Sequence, residues 1–156
     1  MIEKTREIMK KLGIKGEIFA HPEIDGIHSE TVAKKLGVPL RRIIKCLILK
    51  SKRGESIAAV LLGEDKLDIN ALEIISGCKK LSFASEGLVL EKTGFRVGGI
   101  PPFAVIGKMP VFVDKKVLEV SKLIGSGGTR FHGLKFNSKV FNHLDCKICD
   151  ISKGKE

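Results

Sequence analysis

Apolar positions recur along the chain in short blocks whose spacing switches between helical and extended, with glycine, proline or a small polar residue at most junctions. Ile8, Met9 and Leu12 share one face of a helix predicted over Ile2 to Leu12, and Gly13 suits the left-handed position just past its end. A short strand is predicted over Gly16 to Ala20. Ser29 or His28 begins a second helix with Val32, Ala33 and Leu36 inward; Gly37 ends it and Pro39 prevents its resumption. Ile43 to Leu49 is apolar on both faces except at Lys45, and Lys50-Ser-Lys-Arg-Gly-Glu turns the chain into a second strand over Ser56 to Leu62, so a hairpin is expected. Further on, Asp68 caps a helix through Ile75, Lys80 to Ala84 reads as a short strand, and Ser85 caps a helix ending near Gly94. Val111 to Val113, Val120 to Ile124 and Leu134 to Phe136 are strand candidates, and Asn137 caps a late helix through Leu144 before a final strand.

This alternation predicts an α+β fold, a single domain over residues 1–156 with a mixed β-sheet that is curled or partly barrel-like and surrounded by helices. The size agrees, because 156 residues with 43% hydrophobic side chains supply one core without disulfide staples. No apolar run approaches the ~18 to 20 residues of a membrane span, and the opening segment mixes acids with bases, so a cytoplasmic protein without membrane association is expected.

Charge adds a direction. The formal net charge is +10, and Lys34 to Arg53 carries eight basic residues and no acid, among them Lys34, Lys35, Arg41 and Arg42. Residues 54–91 reverse the balance, with seven acids against three lysines. A cationic side suits a polyanion such as nucleic acid, which gains affinity by counterion release; a solvated surface rich in Lys and Glu accounts for the same composition. Cys46, Cys78, Cys146 and Cys149 form no disulfide framework. Cys146-Lys-Ile-Cys149 has metal-ligand spacing with His143 nearby, but without a second pair it reads as part of a terminal strand, and no metal or other cofactor is assigned.

Three features can carry chemistry. Period-two alternation puts Lys45 on one strand face with Ile43, Leu47 and Leu49, where an ammonium needs a carboxylate, water or an anionic ligand, or must snorkel to solvent along its stem. Val97-Gly98-Gly99-Ile100-Pro101-Pro102-Phe103 is a rigid loop whose glycine N–H groups can approach a carbonyl or phosphate oxygen; a plain turn is the simpler reading. Gly125-Ser126-Gly127-Gly128-Thr129-Arg130 fits neither phosphate-loop nor dinucleotide spacing and reads equally as a hairpin turn. The four histidines form no catalytic spacing.

Taken in order, these features resemble the YbaK family of aminoacyl-tRNA deacylases, which is similar to the editing domain inserted in bacterial prolyl-tRNA synthetases. The segments that carry the resemblance are the N-terminal helix, Thr31-Val-Ala-Lys-Lys-Leu-Gly-Val-Pro, Ile43-Ile-Lys-Cys-Leu-Ile-Leu, Gly94-Phe-Arg-Val-Gly-Gly-Ile-Pro-Pro-Phe and Gly125-Ser-Gly-Gly with its expected downstream helix. The resemblance implies that Lys45 is the family's essential lysine, that Gly98 and Gly99 orient the substrate with Pro101 beside them, and that Ser126 lies at the pocket. Cys46 stands where a threonine commonly follows the lysine in members active on cysteinyl-tRNA, and Phe19 where an aromatic hydroxyl can occur; both departures remove hydroxyl contacts.

The activity so implied is trans-editing: hydrolysis of the ester joining a small mischarged amino acid, such as cysteine, alanine or serine, to the 3′ end of tRNA, with water or a substrate group as nucleophile. Lys34, Lys35, Arg41 and Arg42 would track the RNA backbone, and a synthetase is a candidate partner. The competing expectation is a non-catalytic module that binds RNA ends or docks on a synthetase through the same cationic face.

Overall fold

Helix α1 (Ile2–Leu12), strand β1 (Gly16–Ala20) and helix α2 (Ser29–Leu36) occupy the predicted spans in the computed structural model, which describes residues 2–22 and 28–155. Gly37 ends α2 at φ +70° and its N–H returns to the carbonyls of Ala33 and Lys34, a conformation costly for any residue with a Cβ. A 3-10 turn over Leu40–Arg42 then leads into β2 (Ile44–Lys50), which forms an antiparallel hairpin with β3 (Ser56–Leu62), Lys45 opposite Leu61.

The remaining elements are β4 (Asp65–Leu67), α3 (Ile69–Ser76), β5 (Ser82–Phe83), α4 (Glu86–Thr93), β6 (Val111–Asp114), β7 (Lys122–Ser126), β8 (His132–Asn137), β9 (Lys147–Cys149) and β10 (Ser152–Lys155). Asp68 and Ser85 cap α3 and α4 as expected, accepting from the N–H groups of Ala71 and Leu88. The late helix expected after Asn137 is a 3-10 turn over Ser138–His143, and β5 is shorter than the expected strand.

The α+β class and the mixed sheet are as expected, but the strands divide among three sheets, none closed into a barrel. A five-stranded mixed sheet has the order β5-β2-β3-β6-β9, with β3–β6 and β6–β9 parallel; β1-β8-β7 form an antiparallel sheet, and β10-β4 a small pair. Asp114 explains part of the division. Buried at the end of β6, its carboxylate accepts from the N–H groups of Lys116, Ile151 and Ser152, so the chain turns away from the sheet and β10 is held beside it. The short edge strands β5 and β9 leave the large sheet nothing with which to meet itself.

The β2–β3 hairpin is covered on both faces, which is why its sequence is apolar apart from Lys45 and the residues flanking its turn. Ile44, Ile48, Val60 and Leu62 face a core with Phe103, Phe136 and Phe141, whereas Leu49, Ile57 and Leu61 face a second core with Leu72 of α3 and Ile151. Each such fully buried aliphatic side chain contributes about 1.5–3 kcal/mol relative to exposure. Val32 and Ala33 of α2 pack on Ile43 and Ile124, and a parallel bridge between those two isoleucines joins the hairpin to β7.

Candidate active site

The side-chain alternation of β2 places Lys45 on a face with Leu47 and Leu49. Lys45 is half-buried and lines two neighbouring cavities, one of about 140 Å³ and one of about 610 Å³. The smaller is walled by Val32, Ile43, Ile100 and Ile124, with Ser29, Ser126, His21 and His132 as polar groups. The larger runs from the start of α2 past Lys66 to Phe83, whose ring is 56% exposed. Burial pushes the Cys46 thiol, next to Lys45, up to about 12, so it stays protonated at neutral pH and is a poor nucleophile.

Gly63 lets α2 reach this place. A Cβ there would lie 2.7 Å from Ser29 Cβ and 2.9 Å from the Ile43 carbonyl oxygen, so a hydrogen at this position is what seats Ser29 on the end of the hairpin beside Lys45.

The two glycine loops form the opposite wall and are clamped together. Gly99 packs on the backbone of Thr129, where an added Cβ would be 3.1 Å from its Cα, and Gly125 packs under Pro102, where the distance to Cδ would be 3.1 Å. Arg130 Nε donates to the Val97 carbonyl at 3.3 Å. Within the second loop Ser126 Oγ donates to the Thr129 carbonyl at 3.2 Å and accepts from the Gly128 N–H at 3.3 Å. The Ser126 hydroxyl thus lies at the cavity with its proton held by the turn.

Gly98, at φ +84°, lines the small cavity, and its N–H has no acceptor among the described residues. The expected pair of glycine donors is therefore reduced to one, because the Gly99 N–H donates to the Arg96 carbonyl at 2.9 Å. Lys45, Cys46, Gly98 and Ser126 meet at the cavity; Gly99 and Pro101 are buried behind it. Phe19 lies over Gly133, its ring 5.1 Å from Lys135 Nζ and 5.8 Å from the ring of His21. Lys34 and Lys35 project from α2 into solvent, Arg41 pairs with Glu119 at 3.0 Å, and Arg42 Nε donates to the Lys122 carbonyl at 3.0 Å.

Sequence reading missed His21, Ser29 and His132. The pairing of β1 with β8 sets Ala20 opposite His132, so two histidines 111 positions apart become neighbours of one cavity. His21 directly follows the strand predicted over Gly16 to Ala20, but His132 lies two residues before the strand predicted over Leu134 to Phe136, so nothing local joins the two. At the other end of the chain, the Cys146 thiol donates to the Phe141 carbonyl at 3.3 Å, and burial raises Cys146 and takes Cys149 to about 11. Among the described residues no three His, Cys, Asp or Glu side chains are grouped to hold a metal ion.

Residues 21–140 match the family described as the aminoacyl-tRNA editing domain. The chain is 30% identical over 112 residues to EbsC of Enterococcus faecalis, a proposed Cys-tRNA(Pro)/Cys-tRNA(Cys) deacylase, covering 72% of this chain and 68% of that one. It is 30% identical over 101 residues to proline–tRNA ligase of Geobacter metallireducens, covering 65% of this chain but 17% of the ligase. Among solved structures, hypothetical protein APE2540 superposes with a TM-score of 0.86 at 28% identity over 96% of this chain and 99% of that one. A proposed trans-editing enzyme for prolyl tRNA synthetase shares the fold with a TM-score of 0.84 at 21% identity, over 98% and 97% of the two chains.

Proposed function

Because this chain belongs to the aminoacyl-tRNA editing domain family, we propose that it is a deacylase acting in trans, which hydrolyses the ester between a small amino acid and the 3′-terminal ribose of tRNA. The observation that carries this reading is the position of Lys45 where a small cavity meets a large one. A volume of about 140 Å³, close to the roughly 150 Å³ of a cavity that holds benzene, suits a whole small aminoacyl group, such as that of cysteine, alanine or serine, together with its ester carbonyl. The larger cavity suits the terminal nucleoside, with Phe83 as a face on which a base can stack.

In the reaction, water adds to the ester carbonyl carbon and the carbonyl electron pair moves onto oxygen. Collapse of that oxyanion breaks the bond to the ribose oxygen, which takes one proton; the amino acid leaves as its carboxylate and the second proton goes to solvent. Lys45 holds the phosphate of the terminal nucleotide and so fixes the ester between the two cavities, and the Gly98 N–H donates to the carbonyl oxygen as charge develops. Neither Cys46 nor Ser126 is placed to act as a nucleophile, since the first is held as a thiol and the second donates within its turn. Size selection by the small cavity is limited to about 1–3 kcal/mol per methylene, the difference that synthetases themselves cannot exceed and that a second sieve exploits.

Among the described residues no helix is long and apolar enough to cross a membrane. We place the protein in the cytoplasm with the translation machinery, with Lys34, Lys35, Arg41 and Arg42 along the RNA backbone and a synthetase as a partner in substrate handover. The test is turnover of a panel of radiolabelled aminoacyl-tRNAs by the wild type and Lys45→Ala, with tRNA binding measured in parallel. Selective turnover that Lys45→Ala abolishes while binding persists is expected; binding without turnover by the wild type would favour an RNA-end-binding adaptor.

A further inference from the structure

His132 is held at both ends of its side chain. At its root, an added Cβ on Gly127 would lie 3.1 Å from His132 Cβ, and the Gly127 N–H donates to the His132 carbonyl at 2.8 Å, so the turn packs directly on the residue. At its tip, Nδ1 is 2.7 Å from Thr129 Oγ1. That hydroxyl already accepts from the Phe131 N–H at 3.0 Å. In one satisfied arrangement the threonine proton points to Nδ1, making a chain from Phe131 N–H to Thr129 hydroxyl to imidazole; in the other the hydroxyl's second lone pair takes an Nδ1–H, and the ring tautomer decides between them. With Nδ1 accepting, the neutral ring carries its hydrogen on Nε2. A protonated ring carries one there as well, so Nε2 is a donor in both states.

His132 also lines the small cavity, together with Gly98 and Lys45. A cavity of about 140 Å³ is roughly 6 Å across, so a carbonyl oxygen inside it is within reach of both Gly98 N–H and a donor on the histidine. Gly99 cannot supply a second donor, because its N–H is used by Arg96. We propose that His132 is a catalytic hydrogen-bond donor, acting through Nε2–H on the ester carbonyl oxygen beside the Gly98 N–H, with Thr129 as the positioning residue that fixes its tautomer. This inference rests on the deacylase reading and deepens it. His132 takes no proton from water in this role; its contribution is to stabilise the oxyanion.

The first test needs no substrate. Nitrogen-15 NMR of the imidazole in the wild-type protein above the pH at which the ring is charged should show the Nε2–H tautomer, and Thr129→Val should relax it towards a mixture; an Nδ1–H tautomer in the wild type overturns the proposal. The second is kinetic. His132→Ala should lower kcat by about 100-fold or more, the usual effect of losing one oxyanion donor, with KM nearly unchanged. His132→Gln, whose amide N–H reaches a similar place, should recover most of that loss, and Thr129→Ser should stay near wild type. A structural role would instead lower the melting temperature of the alanine and glutamine variants together and leave no rescue. If His132→Ala does not fold, the tautomer and the glutamine variant decide the matter. A wild type that turns over charged tRNA with His132→Ala its equal overturns the donor role alone; a wild type with no turnover on any charged tRNA overturns the deacylase reading and the donor role with it.

Discussion

Replacing Gly99 with alanine puts a methyl group between two loops that meet backbone to backbone. Its Cβ would lie 3.1 Å from Thr129 Cα, 3.2 Å from the Thr129 carbonyl carbon and 3.4 Å from the Arg96 carbonyl oxygen. Carbon atoms at ease stand about 3.5–4.0 Å apart, so the shortfall is roughly half an ångström. The neighbours are main chain and cannot swing aside as a flexible side chain would. Crowding of this kind costs about 1–3 kcal/mol. Because Gly99 has an ordinary φ, alanine also restricts the unfolded chain and returns about 0.4–1 kcal/mol. The net loss is about 1–2 kcal/mol, equivalent to a fall of roughly 2–8 °C in Tm for a chain of this size. Separation of the loops also shifts Gly98 relative to Thr129 and His132, and a displacement of half an ångström at a reacting centre is expected to cost about tenfold in kcat, given that 1 Å can cost about a hundredfold. The assay pairs thermal unfolding with single-turnover deacylation, using Gly87→Ala as control: a Cβ at Gly87, in the first turn of α4, meets nothing within 4 Å and should leave both quantities unchanged or raise Tm slightly. A Gly99→Ala protein with wild-type Tm and kcat would refute the claim that the clamp sets the site.

Asp114→Ala removes the acceptor for three backbone N–H groups, and urea unfolding should show a loss of about 2–4 kcal/mol; a loss under about 1 kcal/mol would mean that water replaces the carboxylate. The raised Cys46 thiol contributes stability that is complete below its ordinary value near 9 and is lost as pH rises towards about 12; urea midpoints should therefore fall more steeply between pH 8 and 10.5 in the wild type than in Cys46→Ala. Replacing Lys34 and Lys35 together with glutamine should reduce the slope of log Kd against log salt for tRNA by about 0.7–0.9 for each phosphate that is no longer neutralised, while kcat on saturating substrate stays near wild type.

The parts of the fold legible in the sequence are those governed by neighbours along the chain. The periodicity of Ile8, Met9 and Leu12 and the glycine after it delimit α1, and Ser56 to Leu62 is read at its observed bounds because the turn before it and Gly63 after it punctuate an unbroken apolar run. The pair β4–β10 escaped notice, since two short polar segments some eighty-five residues apart carry no local pattern, and β10 is held in place through the Asp114 carboxylate. The division into three sheets follows from the same kind of long-range contact. At the site, Lys45 stands out because it breaks an apolar alternation. Ser29 and His132 do not, because what brings them in is the missing side chain of Gly63 and the register of β1 on β8, and neither has a signature at the residue concerned.

The hairpin that bears Lys45 lies between two hydrophobic cores, and of the loops facing it the first is anchored in one of those cores by Ile100 and Phe103, whereas the turn over residues 126–130 is held by a few hydrogen bonds and glycine contacts. In terms of local opening, amide hydrogens of Cys46 to Ile48 should exchange only when the whole domain unfolds, and those of Gly127 to Arg130 through smaller, more frequent excursions. Lys45 is thus tied to the global stability of the protein, and the turn that forms one wall of the small cavity is not. Substitutions in that turn that leave the Gly99–Thr129 contact intact should therefore reshape one wall of the small cavity at less cost to folding than substitutions in the lysine strand.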